Sequence, residues 1–156
     1  MNNQSNLPKI ISVVAIALGT LDLIRGLMHT VFLEYAAGTI AGLNLTLPNA
    51  IDQLQLMAAF GASNFITAGA LILTGLYFRK GAHFLLGIIP ASYMIMIFSL
   101  RYYRTGYEAS QANWGGAPMM RIYLVICIVV FAYGWVSYFQ ARSVASDIPD
   151  KAVAGG

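Results

Sequence analysis

Four stretches of this chain are long and apolar enough to cross a bilayer, and this limits its fold more than any other feature. They run from about Lys9 to Leu33, from about Ile51 to Phe78, from about Ala82 to Leu100, and from just after Pro118 to about Phe139. A hydrocarbon core about 30 Å thick asks for roughly 20 apolar residues in a helix, and each stretch supplies them. Inside lipid no water satisfies the backbone, so a segment of this length closes its own hydrogen bonds as a helix. The expected fold is all-α: a four-helix transmembrane bundle over residues 1–142 with an ordered apolar loop capping its outer side. A polar, glycine-ended tail over 143–156 is expected to fray.

Composition agrees with a membrane class. Hydrophobic residues make up 58% of the chain and charged residues 10%, whereas soluble domains carry about 25% charged residues. That is too little polar surface to cover a water-soluble globule. At 156 residues the chain reads as one domain without room for a soluble one beside it. The net charge of +3 comes from scattered loop residues and does not make a nucleic-acid-binding patch. The single Cys127 rules out an internal disulfide and any paired-cysteine redox or zinc motif, and reads as an inert thiol in a helix. The first apolar run is too long, and too interrupted by charge in its second half, for a cleavable signal peptide.

Charge also suggests an orientation. With four spans both termini share one side, and that side holds Lys9, Arg79, Lys80, Arg142 and Lys151. The other side holds Arg101, Arg104 and Arg121, together with Glu34, Asp52 and Glu108. By the positive-inside rule the termini are expected in the cytoplasm, with the plasma membrane as the host. Asn44-Leu45-Thr46 forms a glycosylation triplet, but such triplets are common by chance and Asn3-Gln4-Ser5 is another.

Within the first run, Ser12, Ala15, Gly19, Asp22, Gly26 and His29 step by three and four, so they share one helix face. All are small or polar. Arg25 lies one turn from both Asp22 and His29. A charged residue at the centre of a span costs roughly 2.5–3.5 kcal/mol on insertion scales. Such groups persist where they face protein or water, pair with one another, or serve a function. In the second run Gly61, Asn64, Ala68 and Gly75 share a face, with Ala58, Ala62 and Gly69 beside it, a pattern that lets membrane helices approach closely. Asn64 falls at a depth near Gly19 and Asp22, so a bond from its amide to the Asp22 carboxylate is expected. In the third run Gly87 and Ala91 form a small-residue pair and Pro90 should kink the helix. The fourth puts Tyr123, Cys127, Val130, Gly134 and Ser137 on one face.

The outer loops carry the remaining signals. The first, about Glu34 to Ala50, is too apolar for a solvated loop and should lie over the bundle as a lid. Its Leu43, Leu45 and Leu47 alternate with polar residues, which suggests a short extended piece. The third contains Arg101, Tyr102, Tyr103, Arg104, Tyr107, Glu108 and Trp114, residues typical of an aromatic belt. His29, Glu34, Arg101, Arg104 and Glu108 could then converge beneath the cap.

The ligand-binding set read from sequence is Asp22, Arg25, His29, Asn64, Arg101 and Arg104, with His29 also the candidate catalytic acid or base. Each has a plainer alternative: a structural ion pair for Asp22 and Arg25, a packing role for His29, headgroup anchoring for Arg101 and Arg104. His83, near Arg79 and Lys80, reads as an interface residue. The two histidines fall at opposite faces and cannot clasp one haem, and no carboxylate–histidine spacing points to a metal. No cofactor is named by any motif. The expected function is binding of a lipid-like or quinone-like amphiphile, or service as an accessory subunit of a membrane complex. The alternative is a small membrane enzyme using His29 on a lipidic substrate. Transport has less behind it, since the bundle is narrow and no inverted repeat is visible. The expected partners are the bilayer, a lipid or quinone ligand, and a membrane protein or second copy of the chain. Architecture alone does not license any of these functions.

Overall fold

Pro8 has its ring-fixed φ of −59° where the chain turns into α1 (Lys9–Met28). The computed structural model describes residues 7–103 and 115–146. After α1 come a short α2 (Leu33–Tyr35) and a π-helical turn, Ala36–Ile40. Then follow α3 (Ala50–Tyr77), α4 (Arg79–Tyr103) and α5 (Ala117–Ser146). The helices α1, α3, α4 and α5 are each long and apolar enough to cross a membrane, which makes this an all-α membrane bundle. A single residue, Phe78, joins α3 to α4.

Helix α1 is central. It packs most extensively on α3 and also meets α4 and α5, while α4 pairs with α5. The small residues read from sequence make the α1–α3 approach possible. A Cβ added at Gly19 would lie 3.0 Å from the Ala68 carbonyl oxygen, and one at Gly61 would lie 2.8 Å from His29 Cβ. With no water to expel, close dispersion contact of this kind is what holds membrane helices together.

The apolar core occupies the half of the bundle nearer the termini. Ile11, Ala15 and Leu18 of α1 meet Leu71, Ala82, Leu86 and Cys127 there. Polar fasteners close that end. Arg79 donates from Nε to Ser12 Oγ at 3.2 Å and from Nη1 to the Leu7 carbonyl at 2.9 Å. His83 donates its Nε2 proton to the Phe131 carbonyl at 2.9 Å and stacks on that ring, so it is a packing residue joining α4 to α5.

At the opposite end, here the loop end, the first connection is ordered and apolar. Ala36, Ala37 and Ala41 are buried. The Gly115 N–H donates to the Ile40 carbonyl at 3.0 Å, which ties the start of α5 to this cap. Gly42 has a φ of 68°, a left-handed conformation that suits glycine and lets the chain leave the π turn.

The structure corrects three expectations. Helix α1 stops at Met28 rather than Leu33, because the Val31 and Phe32 amides both fold back onto the Leu27 carbonyl. Leu43 to Leu47 forms no strand: Asn44 Oδ1 accepts from both the amide and the hydroxyl of Thr46, a local turn with no partner strand among the described residues. Helix α5 continues to Ser146, past the expected boundary at Arg142. The remainder of the tail, 147–156, lies outside the described residues.

Candidate functional site

The polar face of α1 becomes a site in the half of the bundle nearer the loops. Asp22 is only 2% exposed there. Both its carboxylate oxygens are engaged: Arg25 Nη1 donates to Oδ1 at 2.9 Å, and the Tyr123 hydroxyl donates to Oδ2 at 2.7 Å. The first bond follows from the i,i+3 spacing on one helix. The second crosses from α5 and locks that helix against α1. Charge-assisted bonds to both oxygens are what a buried carboxylate requires.

Arg25 spends one donor on Asp22 and sets its guanidinium 5.5 Å from the Phe60 ring centroid on α3. A guanidinium carries five N–H donors. The others have no partner among the described residues.

Asn64 makes no bond to Asp22, contrary to expectation, because its amide is turned toward the loop end and engaged there. Its amide Nδ2 instead faces His29 Nδ1 at 3.3 Å. An amide nitrogen can only donate, so His29 accepts at Nδ1 and carries its proton on Nε2. His29 sits just past the end of α1, half-buried and 5.4 Å from the Phe60 ring. Burial first, and the Arg25 charge second, hold its pKa below the ordinary value of 6.5. It is therefore a neutral imidazole at neutral pH.

A cleft of about 480 Å³ opens between α3 and α4, with α1 and α5 behind it. Asp22, Arg25, Asn64 and Tyr123 form its polar back wall. Phe60, Ser63, Ile66, Thr67 and Ala70 line the α3 side, and Leu85, Ile88, Ile89, Ser92, Tyr93 and Met96 the α4 side. Ser63 and Thr67 give their hydroxyl protons to carbonyls of their own helix. The hydroxyls of Ser92 and Tyr93 have no hydrogen-bond partner among the described residues.

Of the six residues read from sequence, the cleft gathers Asp22, Arg25 and Asn64. His29 is joined to it through Asn64 and does not line it. Arg101 is exposed at the last turn of α4 and Glu34 is exposed on α2, and neither lines the cleft. Arg104 and Glu108 lie outside the described residues. Sequence reasoning missed the pairing of Tyr123 with Asp22, and it missed Phe60, Ser92 and Tyr93 altogether. In the folded helices Tyr123 lies six residues inside the loop end of α5 and Asp22 six residues inside that of α1, a match of depth that the expected ends at Leu33 and after Pro118 conceal. At ~1.5 Å per residue both sit at the same depth, about 9 Å from the helix end.

Among the described residues no three of His, Cys, Asp and Glu come together as a metal site. Comparison with known proteins supplies no family: no family model, no curated protein and no solved structure matches the chain significantly.

Proposed function

We propose that this chain is an amphiphile-binding protein of the plasma membrane, with both termini cytoplasmic, and that it holds the polar head of a lipid-like or quinone-like molecule in the cleft between α3 and α4. The observation that carries the reading is the pairing of a buried polar wall with an apolar mouth. Asp22, Arg25, Asn64 and Tyr123 stand at the back, and exposed apolar residues such as Ile66 and Ile88 stand at the rim. Sites for small ligands combine a mostly apolar lining with a few convergent polar groups, in volumes of roughly 300–1,000 Å³. The orientation rests on the loop charges, with Lys9, Arg79, Lys80, Arg142 and Lys151 on the terminal side.

Catalysis by His29 has less support. Its Nδ1 is occupied by Asn64 and its side chain does not line the cleft. An accessory-subunit role would need no cleft at all, whereas amphiphile binding does.

Native mass spectrometry of protein extracted gently from its source membrane tests the proposal. The expected result is one retained amphiphile per chain, lost when Ala70→Phe fills the cleft. Equal retention by the variant would place any bound lipid elsewhere on the bundle, and a bare protein in both cases would overturn the reading.

A further inference from the structure

The donors left over in the cleft narrow the chemistry of what it can hold. Resting on the amphiphile reading above, we infer that the ligand has an uncharged, carbonyl-bearing head and enters sideways from the bilayer between α3 and α4. Its carbonyl oxygen is taken by the unspent donors of Arg25, with Ser92 and Tyr93 across the cleft.

The first part of the argument is charge. Asp22 and Arg25 are the charged residues of the lining, and they pair with each other. The wall is thus neutral in sum. An anionic head would add a second negative group beside the Asp22 carboxylate with no new cation to offset it. A cationic head would face the Arg25 guanidinium, while both Asp22 oxygens already accept from protein donors. In a low-dielectric setting an uncompensated charge of either kind is expensive. An uncharged head avoids both costs.

The second part is the donor–acceptor count. Ser63 and Thr67 have given away their protons, and the Tyr123 hydroxyl points its proton at Asp22. Of what the site still offers, the spare N–H groups of Arg25 can only donate, while the hydroxyls of Ser92 and Tyr93 and the Asn64 carbonyl oxygen serve either a donor or an acceptor. The strongest unspent group in a neutral pocket is therefore a donor-only guanidinium, and its match is an uncharged head with an exposed acceptor oxygen, which a carbonyl supplies. Quinones and lipid esters share that chemistry.

The third part is access. Ile66 is 76% exposed, and Ile88 and Met96 are also exposed, yet all three line the cleft. They stand on the membrane-facing sides of α3 and α4, so the rim is apolar and opens toward lipid. A chain attached to the carbonyl can remain in the bilayer while the head reaches Arg25.

The test is a melting assay in detergent with a thiol-reactive fluorophore. Cys127 is the only cysteine and is fully buried, so it reports unfolding. Four single-chain probes are compared at equal mole fraction in the micelle: a decyl-substituted benzoquinone, methyl laurate, laurate anion and dodecyltrimethylammonium. The two carbonyl probes should raise the melting temperature of the wild type and the two charged ones should not. Preference for the benzoquinone over the ester, or the reverse, separates the two sources of the carbonyl. Ser92→Ala combined with Tyr93→Phe removes only hydroxyls that bond nothing among the described residues, so the fold should survive while the carbonyl probes bind at least tenfold more weakly. Binding of laurate or of the ammonium probe as well as the ester would overturn the uncharged head and leave the amphiphile reading standing. Unchanged binding to the double variant would overturn the proposed seat. No shift with any probe, in the wild type as in Ala70→Phe, would overturn both the inference and the reading beneath it.

Discussion

Removing either charge of the Asp22–Arg25 pair strands the other where little water reaches it. Breaking a buried pair from one side typically costs about 3–5 kcal/mol. Asp22→Asn and Arg25→Gln should therefore each lower the melting temperature more than the double change does, as read by Cys127 labelling. A double variant as damaged as the sum of the singles would mean the two are not coupled. Tyr123→Phe should cost about 1–3 kcal/mol, the usual penalty for leaving a buried acceptor without its donor. His29 adds a pH dependence whose sign follows from its environment. Burial and Arg25 lower its pKa in the folded state below 6.5. The unfolded chain therefore binds the proton more readily, and stability falls as pH drops below that value toward the folded pKa. Protonation also removes the lone pair that Asn64 bonds. Melting temperature should decline from pH 7 to pH 5 in the wild type and decline less in His29→Asn; parallel profiles would exclude His29 as the source. The ion pair was legible because both partners lie on one helix at a fixed spacing. Tyr123 was not, because which helices become neighbours is not written in the periodicity of any one of them.

At the scale of the element, the packing faces were legible and the helix ends were not. Gly61, Asn64, Ala68 and Gly75 are all buried on α3, as their spacing indicates. Small residues at every third or fourth position leave few alternatives for a helix that must pack without a hydrophobic drive. The end of α1 and the π turn at Ala36–Ile40 depend instead on local amide choices of small energy, which propensity does not decide. The faces lead to a direct comparison. Gly61→Leu would drive a side chain into His29 and Thr30, whose nearest atoms lie 2.8 Å from a built Cβ. Leu73 is 58% exposed on the other side of the same helix. Gly61→Leu should lower the melting temperature severely and Leu73→Ala only slightly. Equal melting of the two variants would contradict the α1–α3 interface.

For the whole molecule, four apolar runs were enough to read a helical membrane bundle, since a segment surrounded by lipid has so few ways to satisfy its backbone. The cleft was not legible, because it exists only through the way α3 and α4 stand relative to α1. The proposed orientation rests on loop charges and, for the proposed plasma-membrane location, can be checked from outside the cell. In a Cys127→Ala background, a cysteine at Ser146 should resist a membrane-impermeant reagent in intact cells, and one at Leu47 should react. Labelling at Ser146 from outside would reverse the proposed topology.

The hydroxyl that completes Asp22 arrives late in the life of the chain. Tyr123 lies 101 residues beyond Asp22. At a synthesis rate of about 5–20 residues per second, it leaves the ribosome roughly 5–20 s after Asp22 does. Through that interval a nascent α1 holds its carboxylate with Arg25 alone, and the last span acts as the latch that finishes the first. The earliest helix thus gains the second partner of its carboxylate only when the final one has joined it.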